Sequence, residues 1–216
     1  MRCLALAQAW QEHGGTVTFA CAQLGDALHT RLINEGLRVR SIEAPVGSPS
    51  DAEKIISLAQ EQSASIVVID GYHFTDHYQL QLKKAGLAIL CVDDNGHLPH
   101  YHADWILNQN VHAHEHLYAN RDPYTKLLLG TTYVLLRKEF WGWRGRPNTI
   151  AQQATRFLIT MGGSDPDNIT AKVLDALTSI LADQSVRVKA VVGGNNLHLN
   201  SLLTRAIKAP DQIEIL

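Results

Sequence analysis

The sequence predicts an α/β protein made of two successive Rossmann-like domains with parallel sheets, spanning residues 1–147 and 148–216. Three observations predict it. A unit of helix, glycine and short β-rich run recurs three times between Met1 and Val92. A stretch rich in glycine and proline, "WGWRGRPNTIAQQA", then interrupts the pattern and marks a domain boundary. A second alternation of strands and helices follows. Short apolar strands alternating with helices argue for a parallel sheet covered on both faces.

Each element has its own signal. "MRCLALAQAW" places Cys3, Leu4, Leu6, Ala7 and Trp10 at helical spacing, and this helix should end at Gly14–Gly15. Gly36 and Gly86 close the next helices in the same way, because glycine accepts the left-handed geometry of a helix C-cap. Strands follow at "TVTFA", "SIVVID" and "AILCV". Ser50 with Glu53 reads as a capping box, and Asp26 and Thr75 as N-caps. "DWILNQ" and "KLLLG" supply two further strands. Beyond the boundary come strand "RFLITM", helix "NITAKVLDALTSILA", strand "VRVKAVVG", helix "HLNSLLTRAIK" and strand "IEIL".

Composition narrows the function. Apolar residues make up 45% of the 216 and charged residues 19%, an ordinary globular balance. Nineteen Lys plus Arg against 21 Asp plus Glu give a net charge of -2, without the basic surplus that nucleic-acid binding needs. No apolar run reaches membrane-spanning length. Cys3, Cys21 and Cys91 are odd in number and widely spaced, so they read as reduced thiols in a cytoplasmic protein.

Ligands of open parallel sheets sit beyond the carboxyl ends of strands, and three places qualify. In "VVIDGYHF", Asp70 ends a strand and Tyr72 and His73 follow a glycine turn. Tyr72 could bond a sugar or phosphate oxygen and His73 could do acid–base work; equally, Asp70 could cap a helix and Tyr72 pack. In "CVDDNGHLPHYHAD", Asp93 and Asp94 could coordinate a metal, set up acid and base roles, or cap the turn into Asn95–Gly96, the structural role being preferred. In "TMGGSDPDNIT", Gly162, Gly163 and Ser164 form a small loop, Asp165 is a natural N-cap and Pro166 a first helical residue. The N–H groups there suit a phosphate, although Asp165 and Asp167 already supply negative charge. The histidines His97, His100 and His102 cluster, as do His112, His114 and His116, the second trio on one face if extended. No Cys or carboxylate completes a convincing ligand set beside them, so no metal site is assigned.

Taken in order, "MRCLALA", "IDGYHF", "VDDNGHLPHYHADWILNQN", "LLGTTYVLLRKEF" and "MGGSDPDNIT" resemble the UDP-sugar hydrolases of pseudaminic acid biosynthesis. Gly71 and Lys138 depart from that pattern, where Ser and Pro are common. The resemblance implies a glycosyltransferase-B fold, shared with the N-acetylglucosaminyltransferase of peptidoglycan synthesis. It implies hydrolysis of UDP-2,4-diacetamido-2,4,6-trideoxy-β-L-altropyranose by attack of water on the anomeric carbon, with no cofactor and no metal. A glycosyltransferase using a UDP-sugar donor, or a non-catalytic remnant, are the alternatives. In the family a strand and a G-x-G-H-V loop precede the segment like "MRCLALA", and the histidine of that loop is the proposed base. That position falls before Met1, so no residue of this chain inherits the catalytic role, and the chain on its own is expected to lack turnover. The segments that hold uridine and diphosphate fall beyond Leu216. The resemblance carries over Tyr72 as a crevice residue, with Asp70, Asp93, Asp94 and the Gly162–Asp165 loop as cleft walls. The implied partner is a UDP-sugar substrate bound by a monomer, with no nucleic acid and no membrane.

Overall fold

A computed structural model describes residues 1–147, 149–177, 185–194 and 196–216 of the chain. The chain divides into two compact units, Met1–Arg146 and Pro147–Leu216.

The first unit runs α1 (Arg2–Glu12), β1 (Thr18–Cys21), α2 (Asp26–Asn34), β2 (Arg38–Ser41), α3 (Pro49–Glu61), β3 (Ile66–Asp70), α4 (Asp76–Lys84), β4 (Ala88–Val92), β5 (Trp105–Asn108) and β6 (Lys126–Leu129). Every pairing between these strands is parallel. They form two sheets, β1–β2 and β3–β4–β5–β6, and β1 does not pair with β3. The alternation of glycine-closed helices with strands explains this. Gly36 and Gly86 sit at φ 74° and 83°, and the chain leaves each helix there to enter the next strand.

The main core lies against the larger sheet. Leu82, Ile89, Ile106 and Tyr118 are fully buried, and Tyr101 is nearly so. Burying each such side chain contributes about 1.5–3 kcal/mol. A second cluster, Leu4, Ala7, Leu32 and Leu37, joins α1 and α2 to the smaller sheet. Only part of the stripe expected on α1 is core. Leu4 and Ala7 are buried, but Trp10 is half exposed and lies over Gly15, where a Cβ would come within 2.0 Å of its Nε1.

Two helix starts in this unit differ from the sequence reading, and local chemistry explains the first of them. The cap of α3 is Ser48 rather than Ser50: its hydroxyl accepts from Asp51 N at 3.2 Å, and Pro49 takes the first helical position. Asp51 reaches back to Gly47 N at 2.7 Å, one residue before the cap, so the start is fixed two residues earlier than the expected Ser50–Glu53 box. Asp26 is the first residue of α2, after Gly25, and makes no cap bond. Thr75 caps α4 as expected, accepting from Tyr78 N. The segment holding His112, His114 and His116 is turn and 3-10 helix (Glu115–Tyr118) rather than strand, so those side chains do not alternate on one face.

The second unit contains β7 (Arg156–Thr160), α5 (Ile169–Ala176), β8 (Arg187–Val191), α6 (Leu199–Ile207) and β9 (Ile213–Ile215). Its sheet, β7–β8–β9, is parallel throughout. Val188, Ala190, Leu174 and Leu202 form its core. The later part of the helix expected from Asn168 falls at 178–182, outside the described residues. Among the described residues no helix is long and apolar enough to cross a membrane, and the three cysteines are free thiols.

Candidate functional site

Three adjacent strands end side by side. β3, β4 and β5 are parallel and in register, with Asp70 opposite Val92 and Val92 opposite Leu107. The residues at or just past their carboxyl ends are therefore neighbours: Asp70, Asp94 and Asn110. Gly71 takes φ 151°, which turns the chain off β3 and brings Tyr72 back over the strand ends.

Asp94 is the centre of this group. Its carboxylate accepts from Asn110 Nδ2 at 2.7 Å, from Tyr72 Oη at 3.1 Å, and from Arg2 Nη1 at 2.8 Å. The same guanidinium donates to Asp70 through Nη2 at 2.7 Å, so Arg2 bridges two carboxylates. Cys3 Sγ donates to Asp70 at 3.0 Å. Arg2 and Cys3 stand in the first turn of α1, so both carboxylates also face a helix N-terminus, where negative charge is favoured. Sequence reading missed Arg2, Cys3 and Asn110. One signal pointed to Arg2: a cation in the first turn of a helix opposes the helix dipole, so it calls for a nearby acid.

The electrostatics follow. Burial pushes the Asp94 and Asp70 carboxyls up, but the Arg2 hydrogen bonds, aided by Asn110 at Asp94 and Cys3 at Asp70, more than reverse this and hold both below the usual range. The Arg2 guanidinium is raised, first by its bond to Asp70. Burial and the Asp70 bond push the Cys3 thiol up to about 12, so it stays protonated at neutral pH. One guanidinium against two carboxylates leaves the group with a surplus negative charge.

This predicts an acid signature. A carboxyl whose folded pKa lies below its unfolded value of about 4 contributes stability above that value, and loses it as pH falls through the folded pKa. All four tryptophans (Trp10, Trp105, Trp141, Trp143) lie in the first unit, so their fluorescence reads that unit alone. Urea unfolding followed by tryptophan fluorescence should show stability falling below about pH 4, and Arg2→Gln should flatten that fall. Equal pH slopes for the two proteins would contradict the bridge.

Asp93 turns inward. It is 3% exposed, and its carboxylate accepts from Asn95 N and Gly96 N, both at 2.7 Å, from Tyr101 Oη at 2.9 Å and from Tyr118 Oη at 3.1 Å. His97 Nδ1 lies 3.1 Å away. Gly96, at φ 63°, leaves room for Leu117 O, which a Cβ would meet at 2.4 Å. Asp93 thus fixes the loop behind the site, and His97 joins it to Tyr72 through an edge-on ring contact of 5.5 Å. His73 is exposed, and none of the hydrogen bonds or ring contacts that join Asp70, Tyr72 and Asp94 includes it.

The Gly162–Asp165 loop belongs to the second unit. Gly162, Gly163 and Ser164 are exposed. Gly163 O packs against Gly193 at a distance that a Cβ would reduce to 2.1 Å, so the loops after β7 and β8 touch backbone to backbone. Asp165 is buried at φ 40°, and α5 starts at Ile169 rather than at Pro166. The Asp165 carboxylate nevertheless accepts from Ile169 N at 2.8 Å and Thr170 N at 3.0 Å. Burial raises its carboxyl, and the bonds from Thr170 and Ile169 more than offset that. The helix start therefore carries its own anion. A separate group, His100, His102 and Asp122, has the residue types to hold a metal ion.

No family model matches the chain. An uncharacterized protein of Methanocaldococcus jannaschii, MJ1062, is 26% identical over 173 residues, which cover 77% of this chain and 35% of that protein. The structure of MurG from Acinetobacter baumannii superposes on 100% of this chain and 60% of its own, with a TM-score of 0.53 and 12% identity. The chain therefore spans about a third of the curated relative it matches. At this identity the likeness to MurG shows the fold: an α/β protein of parallel sheets and two Rossmann-like domains, of the glycosyltransferase-B type.

Proposed function

We propose that the chain is part of an enzyme that processes a UDP-linked sugar, and that the Asp70–Tyr72–Asp94 group contacts the sugar or its acceptor rather than the diphosphate. The observation that carries this is the charge of the site. Ionised Asp70 and Asp94 outnumber Arg2, so the group repels a diphosphate, while its carboxylates and the Tyr72 hydroxyl suit the O–H and N–H donors of a neutral acylated sugar. The fold supports a nucleotide-sugar substrate, and the likeness to MurG fits transfer from a UDP-sugar donor to an acceptor better than it fits hydrolysis.

Hydrolysis is the second reading, favoured by the order of the sequence motifs. In both reactions the bond from the anomeric carbon to the UDP oxygen breaks, and UDP departs as a weakly basic leaving group. The demand is therefore for a placed nucleophile more than for a strong acid.

The full-length protein should be incubated with UDP-2,4-diacetamido-2,4,6-trideoxy-β-L-altropyranose and with UDP-N-acetylglucosamine, each with and without sugar acceptors, and UDP release measured. Release that needs an acceptor supports transfer. Release in water alone supports hydrolysis. Absence of both release and calorimetric binding overturns the nucleotide-sugar reading.

A further inference from the structure

We propose that His100, His102 and Asp122 form a binding site for a divalent transition-metal ion of the zinc class. The backbone builds this site before any ion arrives. Tyr101 is 1% exposed, and its hydroxyl is bonded to Asp93, so the two residues flanking it project together on the opposite side of an extended segment. An isolated parallel bridge joins Tyr101 to Arg121. Tyr101 N donates to Asn120 O, and Asp122 N donates to Tyr101 O, both at 3.0 Å. That bridge delivers Asp122 to the two histidines.

The donor atoms already converge. His100 Nε2 lies 3.0 Å from one Asp122 oxygen and His102 Nδ1 lies 2.9 Å from the other. The three ligand atoms are all within 4.8 Å of one another. Tetrahedral zinc with bonds near 2.0–2.1 Å separates its ligands by about 3.3 Å, so rotations of the side chains suffice to admit the ion. Two imidazoles and one carboxylate are a donor set that suits zinc and its neighbours rather than magnesium or calcium. Each side chain is partly exposed, which leaves the remaining coordination position to water.

The outer partners are also in place. Tyr124 Oη donates to Asp122 at 2.7 Å, which orients the carboxylate. Gln79 Oε1 accepts from His102 N at 2.8 Å, and Gln79 is fully buried, so the histidine backbone is held from the core. A bound ion would replace the two histidine–aspartate hydrogen bonds and clamp the His100–His102 segment to Asp122.

Chelator-treated protein should be titrated with Zn²⁺ by calorimetry, and with Co²⁺ while its visible absorption is recorded. The expected result is one tight site per chain and the d–d bands of a four-coordinate Co²⁺ ion. The double variant His100→Ala/His102→Ala should bind at least about a hundredfold more weakly, since loss of even an outer partner costs 10–100-fold. Tyr124→Phe keeps every ligand and should bind about tenfold more weakly, which preserves the test if the double variant fails to fold. The chain has 11 histidines, so weak binding elsewhere is expected as background. Zn²⁺ binding that is absent, or equal in the wild type and the variants, would overturn the site.

Discussion

Asp93→Ala is expected to destabilise the first unit by about 2–6 kcal/mol, about 1–3 kcal/mol for each of the two buried tyrosine hydroxyls it orphans. The reason is the number of groups that depend on one carboxylate. Two backbone N–H groups, two tyrosine hydroxyls and His97 all point at it. Tyr101 and Tyr118 are buried, so their hydroxyls have no ready access to bulk water, and each unsatisfied donor costs about 1–3 kcal/mol. Asp93→Asn should fall between wild type and Asp93→Ala, because the remaining amide oxygen can still accept from Asn95 and Gly96. Urea unfolding read by tryptophan fluorescence checks this on the first unit. A loss below about 1 kcal/mol would mean that water reaches the orphaned hydroxyls.

Asp94→Asn is expected to lower kcat/KM for UDP release by about 10- to 100-fold in the full-length protein. A hydrogen bond to a charged group is worth about 1.5–3 kcal/mol, and each 1.4 kcal/mol is a factor of ten in rate. Tyr72→Phe removes a single neutral donor and should cost about tenfold or less. Asp94 is nearer the surface than Asp93, so its replacement should shift the unfolding midpoint far less. That contrast separates two neighbours in sequence: one holds the loop and the other stands in the proposed substrate contact. Equal stability losses for the two, or unchanged turnover in Asp94→Asn, would refute the division.

The repeating elements were legible because their signals are local. "AILCV" reads as a strand, and β4 spans Ala88–Val92. The glycines that close α2 and α4 take positive φ, as their position after a helix requires. Helix starts were less legible where two caps compete. Ser48 prevails over Ser50 because Pro49 fixes the first helical φ and Asp51 answers from inside the first turn. Asp165 shows a different limit. It caps α5 from four residues before Ile169, across a turn that a simple spacing rule does not represent.

The site was legible only in part. Asp70, Tyr72 and Asp94 were named because they follow strands, and strand ends are where parallel sheets place ligands. Arg2 and Asn110 were not, although both stand in the segments "MRCLALA" and "VDDNGHLPHYHADWILNQN", because their partners are set by the fold; Arg2 reaches Asp70 across 68 positions of sequence. The histidine cluster makes the same point. His100 and His102 were visible in a cluster with His97, but no carboxylate near them in sequence completed a ligand set. Asp122 arrives only through the Tyr101–Arg121 bridge.

Sequence by itself determined the alternation of helix, glycine and strand, the parallel α/β class and the strand ends at which polar residues gather, because backbone geometry and hydrophobic period act over a few residues. Tertiary structure alone decided which of the paired aspartates is buried and which faces the crevice, which cation bridges Asp70 to Asp94, and which acid meets the histidines. Those outcomes depend on strand register and on side chains that meet from distant segments, and a carboxylate's role follows from the donors and water around it rather than from its neighbours in the chain.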